Sequence, residues 1–205
     1  MSFFGKITAQ PWREEQIALD DLDSGSTLSS PNEKVGLWIF IGVVTGMFSL
    51  FFVAYRVRMQ LMDWQALPEP GVLWLNTVML ILSSIALQRA RTAARRGNTE
   101  GVKAGLIVGG IFAALFLAGQ LWAWQQLAAL GYFASANPAY AFFYLLTALH
   151  GLHLLGGLWV LGGTTTRALR GVEAGEVRVK VELCATYWHY LLLLWLVMFG
   201  LLLST

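Results

Sequence analysis

The stretch that decides the fold is residues 139–163, AYAFFYLLTALHGLHLLGGLWVLGG. It carries no Asp, Glu, Lys or Arg, and it runs too long for an ordinary buried helix. A hydrocarbon core about 30 Å thick is crossed by roughly 20 mostly apolar helical residues. The stretch Ala139–Gly163 therefore reads as a transmembrane helix. Four more stretches meet the same test: Val35–Tyr55, Val72–Leu87, Ala104–Leu130 and Val181–Leu203. Val72–Leu87 is the shortest of them. Pro11, Pro31, Pro68, Pro70 and Pro138 all fall outside these segments, as helix boundaries require. Helices are the default because every backbone group in lipid must be satisfied internally. The alternation expected of barrel strands is absent. The predicted fold class is an all-α integral membrane protein, a bundle of five transmembrane helices.

Composition agrees. Of 205 residues, 57% are hydrophobic and 13% charged, against about 25% charged in ordinary soluble domains. That argues against a soluble enzyme, a nucleic-acid binder or a disordered chain. Cys184 is the one cysteine, so an internal disulfide or a multi-cysteine metal site is excluded. In its apolar run it reads as a small buried hydrophobe.

Residues 1–34 form a polar, acidic arm with Glu14, Glu15, Asp20, Asp21, Asp23 and Glu33 against Lys6, Arg13 and Lys34. The apolar run after it starts too late and continues too long for a cleavable signal. The arm and the membrane part, residues 35–205, are the two expected regions. Twelve of the fourteen Lys and Arg residues fall in the arm, in the loop between spans two and three, or in the loop between spans four and five. The opposite side has only Arg56 and Arg58. The positive-inside rule then predicts a cytoplasmic N-terminus and an outside C-terminus.

Small residues let membrane helices approach closely. Gly42 and Gly46 in span one, and Gly105 and Gly109 in span three, are spaced by four, with Gly110, Ala114 and Ala118 as a second ridge. Gly156, Gly157, Gly162 and Gly163 crowd span four. These predict a tight bundle or a docking face. Trp residues near several span ends read as interface anchors.

Ionisable groups inside a span are costly and tend to be functional. Span four has His150 and His153. Span five has Glu182 near its start and His189 about two turns deeper. Gln120 is the central amide candidate. His153 lies roughly 15 Å from Gly163 and His189 roughly 12 Å from Val181 along their helices, so the two could face each other. Four readings stay open. His189 with His150 or His153 could ligate a b-type haem in a membrane anchor subunit. Three histidines could hold a metal. A Glu–His–His chain could relay protons. Or these groups satisfy one another as an interior polar network. There is no second cross-helix histidine pair, and no carboxylate or cysteine at matching depth, which favours the last two. A free-standing transporter would be expected to show broken helices or midplane charges, and neither is present. Arg167 and Arg170 after span four, with Arg178 and Lys180 before span five, could bind a phospholipid head group, or only mark the cytoplasmic side.

Two stretches carry a resemblance. One is Phe143–Gly157, with Thr147-Ala148-Leu149-His150-Gly151-Leu152-His153. The other is Val181–Trp195, with Glu182 and Tyr187-Trp188-His189-Tyr190. Together they resemble subunit III of haem–copper terminal oxidases, which shows T-G-x-H-G-x-H-x-x-x-G and E-x-x-x-x-Y-W-H-F-x-D-x-x-W. Leu75-Asn76-Thr77, Ser83-Ser84 and Lys34–Phe40 are similar to other parts of that family. The likeness covers roughly residues 34–203, and five spans match its short bacterial form. Val44, Ala123 and Leu192 stand where the family often carries acidic residues, and Ala148 where it has Gly. Glu182, His150, His153 and His189 are retained.

The resemblance implies an accessory, non-catalytic subunit of a cytochrome c or quinol oxidase in the bacterial inner membrane. The complex would reduce oxygen to water and translocate protons. Haem and copper would sit in partner subunits, with none on this chain. Subunits I and II and phospholipid would be its partners. Arg167 and Arg170 would hold lipid phosphate. His150, His153, Glu182 and His189 would form the polar network, and Gly42, Gly46, Gly156 and Gly157 would pack helices.

Overall fold

A computed structural model describes residues 29–65, 71–171 and 174–204. Five helices succeed one another: α1 Ser29–Arg58, α2 Val72–Arg95, α3 Thr99–Ala129, α4 Pro138–Leu169 and α5 Ala174–Leu203. Each contains a span long and apolar enough to cross a membrane. The chain divides into two compact units, Met1–Phe40 and Ile41–Thr205. Of the first, the described part is the beginning of α1. The polar arm expected over residues 1–34 lies, up to residue 28, outside the described residues. The second unit holds α2 to α5 whole, together with α1 from Ile41 onward.

All five helices run past the apolar limits read from the sequence. Lipid thickness sets only the apolar length, while the flanking residues remain good helix formers. α2 continues from Leu87 through Gln88, Arg89 and Arg91 to Arg95. α4 continues past Gly163 to Leu169. Local chemistry marks the ends. Asn98 Oδ1 accepts from Gly101 N at 3.0 Å at the start of α3. Asn137 Oδ1 accepts from Ala139 N at 2.9 Å at the start of α4, where Pro138 occupies the first turn. Such caps satisfy amides that have no partner within the helix. Gly97, Gly131 and Gly171 come after α2, α3 and α4 with φ of 70°, 86° and 84°. This left-handed backbone favours glycine at a helix end.

α2, α3, α4 and α5 form a ring in that order, α5 closing back on α2. α2 and α3 pack most closely, through glycine. A Cβ at Gly105 would stand 2.7 Å from Ala90 Cβ and 2.8 Å from Ala86 O. One at Gly109 would stand 2.8 Å from Leu87 Cγ, and one at Gly101 would stand 2.9 Å from Ala93 Cβ. Gly101, Gly105 and Gly109 are thus a small-residue ridge at spacing four. From Ile41 onward α1 reaches the ring through long side chains. Phe48 packs on His153 at 5.8 Å between ring centroids, and Thr45 shares a 3.0 Å hydrogen bond with the Tyr190 hydroxyl. The core holds Phe116, Phe143, Trp188 and Trp195, all buried. Outward positions are also apolar: Val43, Leu50, Leu152, Leu155 and Trp159 are exposed. A soluble protein rarely shows so continuous an apolar surface. A lipid-embedded one requires it. The protein is a multi-pass membrane protein.

Candidate functional site

The polar residues of the interior gather on α2 and its neighbours. α2 is the least apolar helix, and Ser84, Gln88, Arg91 and Arg95 recur along it at spacings of four, three and four. That places them on one face, opposite α5. His189 on α5 meets Ser84 Oγ through Nδ1 at 2.5 Å and Gln88 Oε1 through Nε2 at 3.0 Å. The amide oxygen can only accept, so Nε2 carries the proton and Nδ1 accepts from the Ser84 hydroxyl. Further toward the basic end of the bundle, Arg95 Nε donates to Glu182 Oε1 at 2.8 Å. Arg178 Nε lies 3.5 Å from the same oxygen. One carboxylate thus joins α2 to α5 and is flanked by two guanidinium groups.

Deeper in the bundle, Trp195 Nε1 donates to Thr77 Oγ1 at 2.9 Å, and Asn76 Nδ2 donates to Gln120 Oε1 at 3.3 Å. Ser83 Oγ donates to Gly109 O at 2.7 Å. Trp124 Nε1 donates to Thr147 Oγ1 at 3.0 Å between α3 and α4. Each bond ties two helices together, and each satisfies a group for which lipid offers no partner.

The four residues expected to form an interior polar network occupy four settings. Glu182 belongs to the arginine cluster. His189 turns to α2 and not to the histidines of α4, because Ser84 and Gln88 offer it a complementary donor and acceptor. His150 and His153 diverge although three residues apart. His153 Nδ1 meets Leu149 O at 2.7 Å and its ring packs on Phe48. His150 is wholly buried between Phe116 and Trp195, and neither of its ring nitrogens has a hydrogen-bond partner among the described residues. The hydrogen bonds of His189 thus run to α2, whereas depth alone allows it to face His153. Equal depth on neighbouring helices does not set which way a side chain turns. Tyr187 does reach α4, donating to His153 O at 3.1 Å.

Among the described residues, no three His, Cys, Asp or Glu side chains cluster as a metal site would need. Cys184 is buried, with Sγ 3.9 Å from Thr164 Oγ1. The glycines separate as well. Gly157 packs inward, where a Cβ would come within 2.8 Å of Trp188 Cζ3. Gly42, Gly46 and Gly156 have nothing among the described residues within 4 Å of a Cβ position. Arg167 and Arg170 are both exposed at the end of α4. Glu173 and Glu176, which alternate with the basic residues beyond them, lie outside the residues whose side chains are described.

Asn76, Thr77, Ser84, Gln88 and Arg95 carry much of this geometry, yet sequence reasoning gives none of them a site role. The periodic polar positions of α2 are the signal that could have found them.

Comparison with known proteins accounts for this arrangement. The family model of cytochrome c oxidase subunit III matches residues 33–203. Cytochrome c oxidase subunit 3 of Thermostichus vulcanus is 29% identical over 82% of this chain and 85% of its own length. Probable cytochrome c oxidase subunit 3 of Nocardia farcinica is 28% identical over 85% of this chain and 89% of its own. Quinol oxidase subunit 3 of Bacillus spizizenii is 25% identical over 80% of this chain and 83% of its own. The match takes in most of α1 and all of α2, α3, α4 and α5, and the chain belongs to the cytochrome c oxidase subunit III family.

Proposed function

We propose that the chain serves a haem–copper terminal oxidase as an accessory subunit, with no active site of its own, and that it stabilises the catalytic subunit I. The observation that carries this reading is the family match across residues 33–203. Subunits I and II are its proposed partners. Oxygen reduction to water and proton translocation then belong to the assembled complex. The polar contacts between helices support a structural role: His189, Glu182, Trp195 and Gln120 are each engaged by a side chain of α2. The outward glycines Gly42, Gly46 and Gly156 suit close approach by a helix of another subunit.

Charge placement supports an N-terminus in the cytoplasm and a C-terminus outside, in a bacterial inner membrane. Arg167 and Arg170 then lie at the cytoplasmic surface, where exposed guanidinium groups are suited to phospholipid phosphate.

The test is extraction of the tagged chain in mild detergent, then size exclusion with a reduced-minus-oxidised visible spectrum across the peaks. Haem absorbance is expected with larger co-purifying polypeptides and not with the separated 22.7 kDa chain. Haem retained by the chain alone would instead identify a haem b membrane anchor and overturn the reading.

A further inference from the structure

The centre of the ring holds a closed circuit of contacts. Gln120 on α3 is bonded to Asn76 on α2. The next residue, Thr77, is bonded to Trp195 on α5. The Trp195 ring lies 5.4 Å from that of His150 on α4, and the His150 ring lies 5.8 Å from Phe116. Phe116 is one turn before Gln120 on the same face of α3. Within this circuit three polar atoms have no hydrogen-bond partner among the described residues: Gln120 Nε2 and both ring nitrogens of His150. Gln120 is 4% exposed and His150 0%.

Such orphans are costly. A buried donor or acceptor left unsatisfied costs about 1–3 kcal/mol. Three in one place, on two facing helices, call for a common partner. The register of α3 against α4 gives the relative depth of the two side chains. Trp124 is bonded to Thr147, and a Cβ at Gly151 would lie 3.7 Å from Leu117 Cδ2. Gln120 lies between Leu117 and Trp124, and His150 lies between Thr147 and Gly151. The two are therefore level to within about one helical turn, or about 5.4 Å. Two hydrogen bonds through a single oxygen span about 5.6 Å. Buried waters occur where two to four polar groups converge.

We propose that one water molecule is a resident part of the bundle, bridging Gln120 Nε2 and a ring nitrogen of His150. The Gln120 amide donates to the water oxygen, and the water donates to the unprotonated imidazole nitrogen. The other imidazole nitrogen keeps its hydrogen among the Phe116 and Trp195 rings, where an N–H···π contact is available. The ligand class is a small neutral molecule able both to donate and to accept. Water is the one that a circuit this enclosed admits.

The test is cryo-electron microscopy of the oxidase complex carrying this chain, at a resolution where internal waters are resolved. The expected result is one peak within about 3.2 Å of both Gln120 Nε2 and a His150 nitrogen, absent from the Gln120→Met complex. No peak between the separated groups overturns the proposal, and so does a direct Gln120–His150 hydrogen bond. A second reading uses Tm of the chain in the complex. Gln120→Met and His150→Phe are each expected to lower it, and the double variant to lower it no further than the worse single, because the bridge is lost once. Additive losses, or no loss in either single variant, overturn the bridge.

Discussion

Arg95 of α2 and Glu182 of α5 are joined by a 2.8 Å hydrogen bond, although 87 residues separate them in the chain. Arg95 is about half exposed while Glu182 is largely covered, with side-chain exposures of 49% and 16%. Placed at the basic end of the bundle, the pair is partly solvated. Its worth is that of an interfacial ion pair, up to about 1 kcal/mol. Glu182→Gln is therefore expected to lower the unfolding free energy of the chain in detergent by about that amount. The deficit should shrink as salt screens the exposed guanidinium groups. Titration of unfolding at low and high ionic strength checks it, and a deficit unchanged by salt would count against an electrostatic origin.

Gly105 and Gly42 are both glycines spaced by four from another, but their surroundings differ. A methyl group at Gly105 must displace Ala90 or the Ala86 carbonyl. Gly105→Ala is expected to cost about 1–3 kcal/mol through overpacking. Gly42→Ala meets nothing among the described residues and is expected to stay within about 0.5 kcal/mol. Denaturant unfolding of the purified chain compares the two. If Gly42 lies against another subunit, Gly42→Leu should reduce retention of the chain in the oxidase while leaving the isolated chain as stable as before.

Asn137 has two tasks. Its Oδ1 caps α4, and its Nδ2 donates to Asp63 O at 2.8 Å, fastening the segment after α1. Asn137→Ala is expected to cost about 1 kcal/mol for the cap and to increase protease cleavage around Met59–Gln65. Asn137→Ser keeps a capping oxygen but lacks the amide donor. It should recover stability without recovering protection from protease. Recovery of both together would show that the Asp63 contact contributes nothing.

The Trp195–Thr77 bond separates polarity from bulk. Trp195→Phe removes the indole N–H but keeps a ring against Phe116, which lies 4.9 Å away between centroids. The expected loss is about 0.5–1.5 kcal/mol, because the Thr77 hydroxyl keeps its bond to Leu73 O. Trp195→Ala should lose about 3–5 kcal/mol through the cavity. Thermal unfolding ranks them, and equal losses would mean that the ring carries the whole effect.

The number and order of the helices are legible because apolar length is a property of contiguous residues. Val35–Tyr55 and Ala139–Gly163 need no partner to be recognised. The helix ends are less so. No continuous apolar run marks the continuation of α2 from Gln88 to Arg95, which packs Ala90 and Ala93 on the glycines of α3 and is held by a carboxylate on α5. The site is legible in its residues and not in its pairings. His189 stands out in the sequence as an ionisable residue within a span, but its partners Ser84 and Gln88 lie 105 and 101 positions away. Depth and face, the two quantities a helical sequence supplies, do not determine which neighbour supplies a complementary donor. The outward direction of Gly42 and the inward direction of Gly157 likewise depend on which helices are adjacent, and residue type alone carries no such record.

Only Arg96, Gly97 and Asn98 separate α2 from α3, and the two helices meet along Gly101, Gly105 and Gly109. This has a consequence for biogenesis. Alone, α2 would present Asn76 and Ser83 to hydrocarbon, whereas α3 supplies Gln120 and the Gly109 carbonyl to receive them. α2 is thus a reluctant traveller that partitions into the bilayer best as one arm of a helical hairpin. Lengthening the connection should expose it, first to the insertion machinery and then to quality-control proteolysis, well before any oxidase is assembled.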